Sequence, residues 1–145
     1  MTAPVETDPK PIHILLVEDN AGDAYLLEKT LKSRQLIYKL TRYEDGEQAI
    51  LAFHNDDLAV PDLIILDLNL PRREGFEVLH TIRSKPSMVG IPVGILTSSN
   101  AVKDRHRIAV TGGELYIHKP PDLDGFLEQV GRAIEVLLAM RPRTP

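Results

Sequence analysis

Short apolar runs alternate with helix-periodic segments along most of the chain, and this alternation restricts the fold more than any other feature. Ile14-Leu15-Leu16-Val17, Leu63-Ile64-Ile65-Leu66 and the run from Ile91 to Thr97 are apolar and bounded by turn residues. Such runs suit strands covered on both faces, as in a parallel sheet between two helix layers. A fourth run alternates, with Tyr38, Leu40 and Arg42 against Lys39, Thr41 and Tyr43, and belongs at a half-exposed sheet edge. The pattern predicts strands at about 12–17, 37–43, 62–67, 91–97 and 114–118. Helices are predicted from Ala21 to near Arg34, and over about 46–54, 75–84, 102–110 and 123–139. Pro86 stops the third and Gly112-Gly113 the fourth, while Leu123, Phe126, Leu127, Val130, Ile134, Leu137 and Leu138 form one stripe on the fifth. The fold class is α/β, a doubly wound five-stranded parallel sheet with five helices.

A chain of 145 residues is expected to form one domain and buries roughly 70% of its unfolded surface. The polar segment 1–11 and the end segment 141–145 read as flexible tails around a domain at 12–140. Seventeen basic and 21 acidic side chains give a net charge of −4, which argues against nucleic acid as a partner. With no cysteine, disulfide and thiolate chemistry are excluded. No apolar run approaches the ~20 residues that span a bilayer, and the N-terminus lacks a signal-peptide apolar stretch, so no membrane role and a cytoplasmic location are expected.

In a doubly wound sheet, ligands bind beyond the carboxyl ends of the strands where strand order reverses, which for order 2-1-3-4-5 lies between strands one and three. Glu18-Asp19 ends the first apolar run and Asp67 the third. Parallel strands are ~4.8 Å apart, so these acids are near neighbours. Two unit charges ~4 Å apart repel by about 4 kcal/mol at an effective dielectric of about 20, so something must offset them. A hard cation with oxygen ligands is one answer, with Mg²⁺ the best fit, and Lys119 at the end of the last strand is another. Thr97 ends strand four with a hydroxyl able to hydrogen-bond a phosphoryl oxygen, and Lys119 pairs with a second oxygen as a point charge. One carboxylate nucleophile, one metal, one hydroxyl and one ammonium suffice for phosphoryl transfer, which depends on positioning and charge neutralisation.

The segments LLVEDN, LDLNLPRREG, LTSS and YIHKP, in that order, resemble the receiver domain of two-component response regulators over residues 12 to about 139. That resemblance implies the flavodoxin-like, chemotaxis-type fold, and Asp67 as phospho-acceptor from a histidine kinase. It implies Mg²⁺ on Asp19, Asp67 and the backbone carbonyl of Asn69, with Glu18 acting through water. It assigns Thr97 as the switch hydroxyl, Tyr116 as the switch aromatic, Lys119-Pro120 as a cis peptide, and Asn69 and Ser99 as residues that tune the lifetime of the phosphorylated state. LVEDNAGDAYLLEKTL, PDLIILDLNLP and IPVGILTSS resemble the stand-alone receivers associated with phytochrome-type histidine kinases, although the C-terminal segment lacks the aromatic ending of that group. A receiver without an output domain would signal by protein contact through the predicted fourth helix, fifth strand and fifth helix, with a homodimer on that face. Leu138, Leu137 and Ala133 either extend such a seam or cover the sheet.

Other functions fit less well. An aspartate-nucleophile phosphohydrolase of the haloacid dehalogenase type needs a D-x-D-x-T/V pattern after its first strand, where this chain has Glu18-Asp19-Asn20-Ala21. A degenerate receiver acting as a scaffold is disfavoured by the intact acids, and a flavodoxin-like cofactor binder by the lack of a glycine-rich phosphate loop after strand one. Gly75 reads as the start of helix three, and Gly125 weakens the start of the last helix by up to ~1 kcal/mol. The five histidines show no metal-ligand spacing, Lys103–Arg107 reads as a solvated helix face, and Arg72-Arg73-Glu74 is either a kinase contact or a bare loop.

Overall fold

The structure, a computed structural model, describes residues 10–55, 58–72, 74–98 and 115–141. Strands β1 (Ile12–Val17), β2 (Tyr38–Tyr43), β3 (Leu63–Leu66), β4 (Val93–Thr97) and β5 (Leu115–His118) form one parallel sheet in the order β2-β1-β3-β4-β5. The described helices are α1 (Ala21–Ser33), α2 (Gly46–Phe53), α3 (Gly75–Ser84) and α4 (Leu123–Met140). α4 is the fifth helix of the sequence reading, because the segment predicted for the fourth (102–110), its Gly112-Gly113 stop, and Ser99 lie outside the described residues.

Local chemistry starts and stops these helices. Asn20, Asp45 and Asp122 each accept a hydrogen bond from the backbone N–H three residues on, capping α1, α2 and α4. The Asp122 cap takes the N–H of Gly125, so the glycine expected to weaken this helix lies inside a capped first turn. Pro86 ends α3 as predicted and opens a short 3₁₀ turn, Pro86–Met88. The cis bond expected at Lys119-Pro120 is not found, because every peptide bond among the described residues is trans. The trans form of an X–Pro bond is favoured by about 0.5–1 kcal/mol, and here the chain still reaches the Asp122 cap without isomerising.

Because successive strand residues point to opposite faces, the apolar runs serve two cores. Leu15, Val17, Ile64, Leu66, Val93 and Ile95 pack with Ala49 and Phe53 of α2 and Val78, Leu79 and Ile82 of α3. Ile14, Leu16, Leu63, Ile65, Leu96 and Ile117 pack on the other face with Leu27 and Leu31 of α1 and Phe126, Val130, Ile134 and Leu137 of α4. Leu137 and Ala133 are thus spent covering the sheet and Leu138 is half-buried against the same core, whereas Leu123, Val136 and Met140 are the large apolar side chains that α4 exposes. β2 is an edge strand with no fully buried residue, as its alternation required. Register fixes the level of the strand ends: Val17 pairs with Leu66, and Thr97 with His118.

Gly94 lies mid-sheet, where α4 approaches closely. A Cβ there would sit 2.8 Å from Leu137 Cδ1 and 3.2 Å from Ile65 Cδ1, both on fully buried side chains. Gly94→Ala is therefore expected to lower the unfolding free energy by roughly 1–3 kcal/mol through overpacking, read as a lower Tm in a calorimetric scan.

Candidate functional site

The last backbone hydrogen bonds of the central strands deliver the acids to one place. Glu18 N–H donates to Tyr43 O (3.0 Å) and Asp67 N–H to Val17 O (3.0 Å), so both residues leave adjacent strands at one level. On the other side of β3, Lys119 N–H donates to Thr97 O (2.8 Å), which places the lysine just past the end of β5. Glu18, Asp67 and Thr97 are buried polar residues, whereas Asp19 is exposed at the mouth. Glu18, Asp19 and Asp67 each offer a carboxylate oxygen, and the three oxygens lie within 4.8 Å of one another. Among the described residues this is the one cluster of three or more acidic or histidine groups suited to a metal ion.

Lys119 is the counter-charge. Its Nζ donates to Asp23 Oδ2 at 2.7 Å, to Glu18 Oε1 at 2.8 Å and to Asp67 Oδ2 at 3.2 Å. An ammonium has three N–H donors, and each finds a carboxylate here. Three carboxylates thus bond one ammonium and Asp19 lies beside two of them, so four formal negative charges are set against one positive charge. Burial and the hydrogen bond with Asp67 push the Glu18 carboxyl up to about 8, against the pull of Lys119. Burial alone would lower the Lys119 ammonium, but its bonds to Asp23 and Glu18 and the charges of Glu18 and Asp67 raise it above the ordinary lysine value. A cluster of hard oxygens that takes up a proton to limit its own repulsion suits a divalent cation, which would replace that proton.

The surrounding turns are held by polar contacts. Asp67 Oδ1 accepts from the Asn69 N–H at 3.0 Å, and the Asn69 side-chain amide donates to Thr97 Oγ1 at 3.3 Å. Arg42 of β2 donates through Nε to Glu18 O (3.0 Å) and through Nη2 to Asp19 O (3.2 Å). Gly75 sits where a Cβ would lie 2.6 Å from both Asp67 O and Leu68 Cα, so this first residue of α3 lets the helix press against the turn after Asp67. Arg72 has φ 70°, unusual outside glycine, and turns to Glu47 at 3.3 Å and Asp45 at 3.9 Å, so it binds the loop to α2. Arg73 lies outside the described residues.

The structure brings together Glu18, Asp19, Asp67, Asn69, Thr97 and Lys119 as the sequence reading expected. Tyr116 is placed elsewhere: it is half-buried on β5, with Ile95 as its Cα partner, and packs against the core beneath α2 and α3. Two participants were missed. Asp23 lies in the first turn of α1, where an acid has an ordinary dipole role that masked it. Arg42 was read only as a member of an alternating edge strand, in phase with Tyr38 and Leu40.

Residues 14–131 match the model of the response regulator receiver domain family, and the chain belongs to that family. It is 37% identical to the response regulator Rcp1 of Synechocystis over 103 residues, 68% of this chain and 69% of Rcp1. The crystal structure of the phosphorylated cyanobacterial phytochrome response regulator RcpA superposes with a TM-score of 0.83 at 31% identity, covering 92% of this chain and 98% of that one. The Mn²⁺-bound form of Rcp1 gives a TM-score of 0.79 at 32% identity over 93% of this chain and 99% of that one. No helix among the described residues is long and apolar enough to cross a membrane.

The raised Glu18 carboxyl makes a pH prediction. A group whose folded pKa exceeds its unfolded value stabilises the fold fully below the unfolded value of 4.5, and that contribution is lost as pH rises through about 8. In EDTA, urea unfolding of the wild-type chain is expected to show a Glu18-dependent fall in stability from about pH 5 to about pH 8. Glu18→Gln should flatten that slope, and an unchanged slope would contradict the assignment.

Proposed function

We propose that this receiver takes a phosphoryl group on Asp67 from a phosphohistidine of a sensor kinase. The observation that carries the reading is the meeting of Asp67 with Glu18, Asp19 and Lys119 at the switch point of the sheet, with Asp67 Oδ2 3.2 Å from the ammonium. A carboxylate oxygen of Asp67 attacks phosphorus, the phosphorus–nitrogen bond to the kinase histidine breaks, and its electron pair returns to the imidazole, which leaves as the neutral ring once protonated. Lys119 holds one phosphoryl oxygen and the Thr97 hydroxyl donates to another. Asp19, Asp67 and the Asn69 carbonyl would hold Mg²⁺, with Glu18 acting through water. The ion would supply charge neutralisation between the acids and the incoming phosphoryl oxygens. The Mn²⁺-bound state of Rcp1 supports this role for the cluster.

Phosphorylation gives Thr97 a new acceptor and draws it from the Asn69 amide that now donates to it. Movement of Thr97 frees space for Tyr116 to turn inward, which repacks the face formed by β5 and α4. That face carries a shallow groove of about 300 Å³ lined by Tyr116, His118, Arg132, Ala133 and Val136 among others. Output passes from there to a protein partner, and the same face would serve a homodimer. The phytochrome association of RcpA supports a phytochrome-type kinase as the phosphodonor, and a cytoplasmic location follows from that partnership. The chemistry is stoichiometric acceptance with slow self-phosphorylation and self-dephosphorylation rather than multiple-turnover hydrolysis. Asn69, and Ser99 beyond the described residues, tune the lifetime of the phosphorylated form.

Incubation with acetyl phosphate and Mg²⁺ is expected to add the mass of one phosphoryl group to the wild-type chain and none to Asp67→Asn. Tyr116→Ala should label normally and respond poorly in a partner-binding assay. Loss of labelling in Tyr116→Ala would sink the division of roles, and continuous release of inorganic phosphate over many equivalents would favour a hydrolase.

A further inference from the structure

The three protons of the Lys119 ammonium are not held equally. The two short bonds go to Asp23 and Glu18, at 2.7 Å and 2.8 Å, and the long one to Asp67, at 3.2 Å. The Lys119 side chain is 11% exposed and that of Glu18 2%, whereas Asp23 is 28% exposed at the rim. Asp23 is not among the acids clustered for a metal ion, and its own backbone N–H is fixed by the Asn20 cap at 2.9 Å. Its carboxylate is therefore carried on a rigid first helical turn, 96 residues from the lysine it meets.

We propose that Asp23 is a positioning residue for phosphoryl transfer: with Glu18 it anchors two of the three ammonium protons and aims the third at Asp67 and the incoming phosphoryl group. The assignment rests on the phospho-acceptor reading of Asp67. A lysine has a flexible four-carbon stem, and an ammonium left to itself in this acidic cavity could settle on any pair of carboxylates. Two charge-assisted bonds, one to Glu18 just past the end of β1 and one to Asp23 in α1, remove that freedom. The bond to Asp67 is the one that lengthens and so the one a phosphoryl oxygen can replace without disturbing the anchor. Asp23 touches neither the acceptor nor its cluster of metal oxygens, and acts only through Lys119.

The test compares wild type, Asp23→Asn and Asp23→Glu, each as the full chain. Phosphorylation by acetyl phosphate is followed by intact mass at saturating Mg²⁺, Mg²⁺ affinity by calorimetric titration, and stability by thermal unfolding in EDTA. Asp23→Asn is expected to slow phosphorylation by roughly tenfold, the scale of one charge-assisted hydrogen bond. Its Mg²⁺ dissociation constant should stay within about threefold of wild type, because the lost charge lies outside the metal oxygens. Asp23→Glu, which keeps the charge, should recover part of the rate. A structural role alone would lower the unfolding temperature without this split between rate and metal affinity. A rate in Asp23→Asn equal to or faster than wild type, or a loss of rate fully explained by weaker Mg²⁺ binding, overturns the proposal. Failure of the wild-type chain to label at all would instead refute the phospho-acceptor reading beneath it.

Discussion

Everything at the functional end of this molecule answers to one imbalance: four clustered carboxylates and a single ammonium that bonds three of them. Such crowding costs several kcal/mol in a partly desolvated cavity and would not persist on a soft scaffold. The scaffold is hard because Glu18 and Asp67 are the first residues beyond two central strands, and their positions are dictated by ladder hydrogen bonds rather than by side-chain preference. Repulsion is relieved by Lys119 and by the openness of Asp19 to solvent, and burial raises the Glu18 carboxyl toward its neutral form. A divalent cation would supply further relief and leave the Lys119 contacts in place.

The two cores explain why the site can be both rigid and responsive. Alternate residues of the same strands serve the α1/α4 face and the α2/α3 face, so the sheet is a wall shared by two packed layers. Fully burying each of its leucines and isoleucines contributes about 1.5–3 kcal/mol, which ties the strands down on both sides. The Asn69–Thr97 bond joins the loop after β3 to the end of β4, and Tyr116 lies one strand further along.

Much of this was readable from the chain. Unbroken apolar runs at 14–17 and 63–66 can be satisfied only by helices on both sides, and alternation at 38–43 only by an edge; the order β2-β1-β3-β4-β5 agrees with both. Helix α3 was bounded correctly because Gly75 and Pro86 are local punctuation whose effects need no tertiary context. The acids and Lys119 were legible because charge at the end of an apolar strand has no packing explanation. Asp23 was not, since an acid in a first helical turn already has a local explanation and its lysine partner is 96 residues away. The peptide before Pro120 was misread because its cis form rested on the resemblance alone, and nothing in the neighbouring residues requires it. Leu137 and Leu138 share the apolar stripe of α4, and periodicity cannot tell which of them lies under the sheet and which on its margin.

The guanidinium of Arg42 has a last consequence for the stiffness of the cavity wall. It grips the carbonyl oxygens of both Glu18 and Asp19, so the backbone that carries two of the three clustered acids is tied to the outer strand as well as to β1. Concentrated full charges reward a small, strongly polarising visitor only where the oxygens cannot splay apart. An edge residue that reaches backbone alone thereby braces that corner from outside.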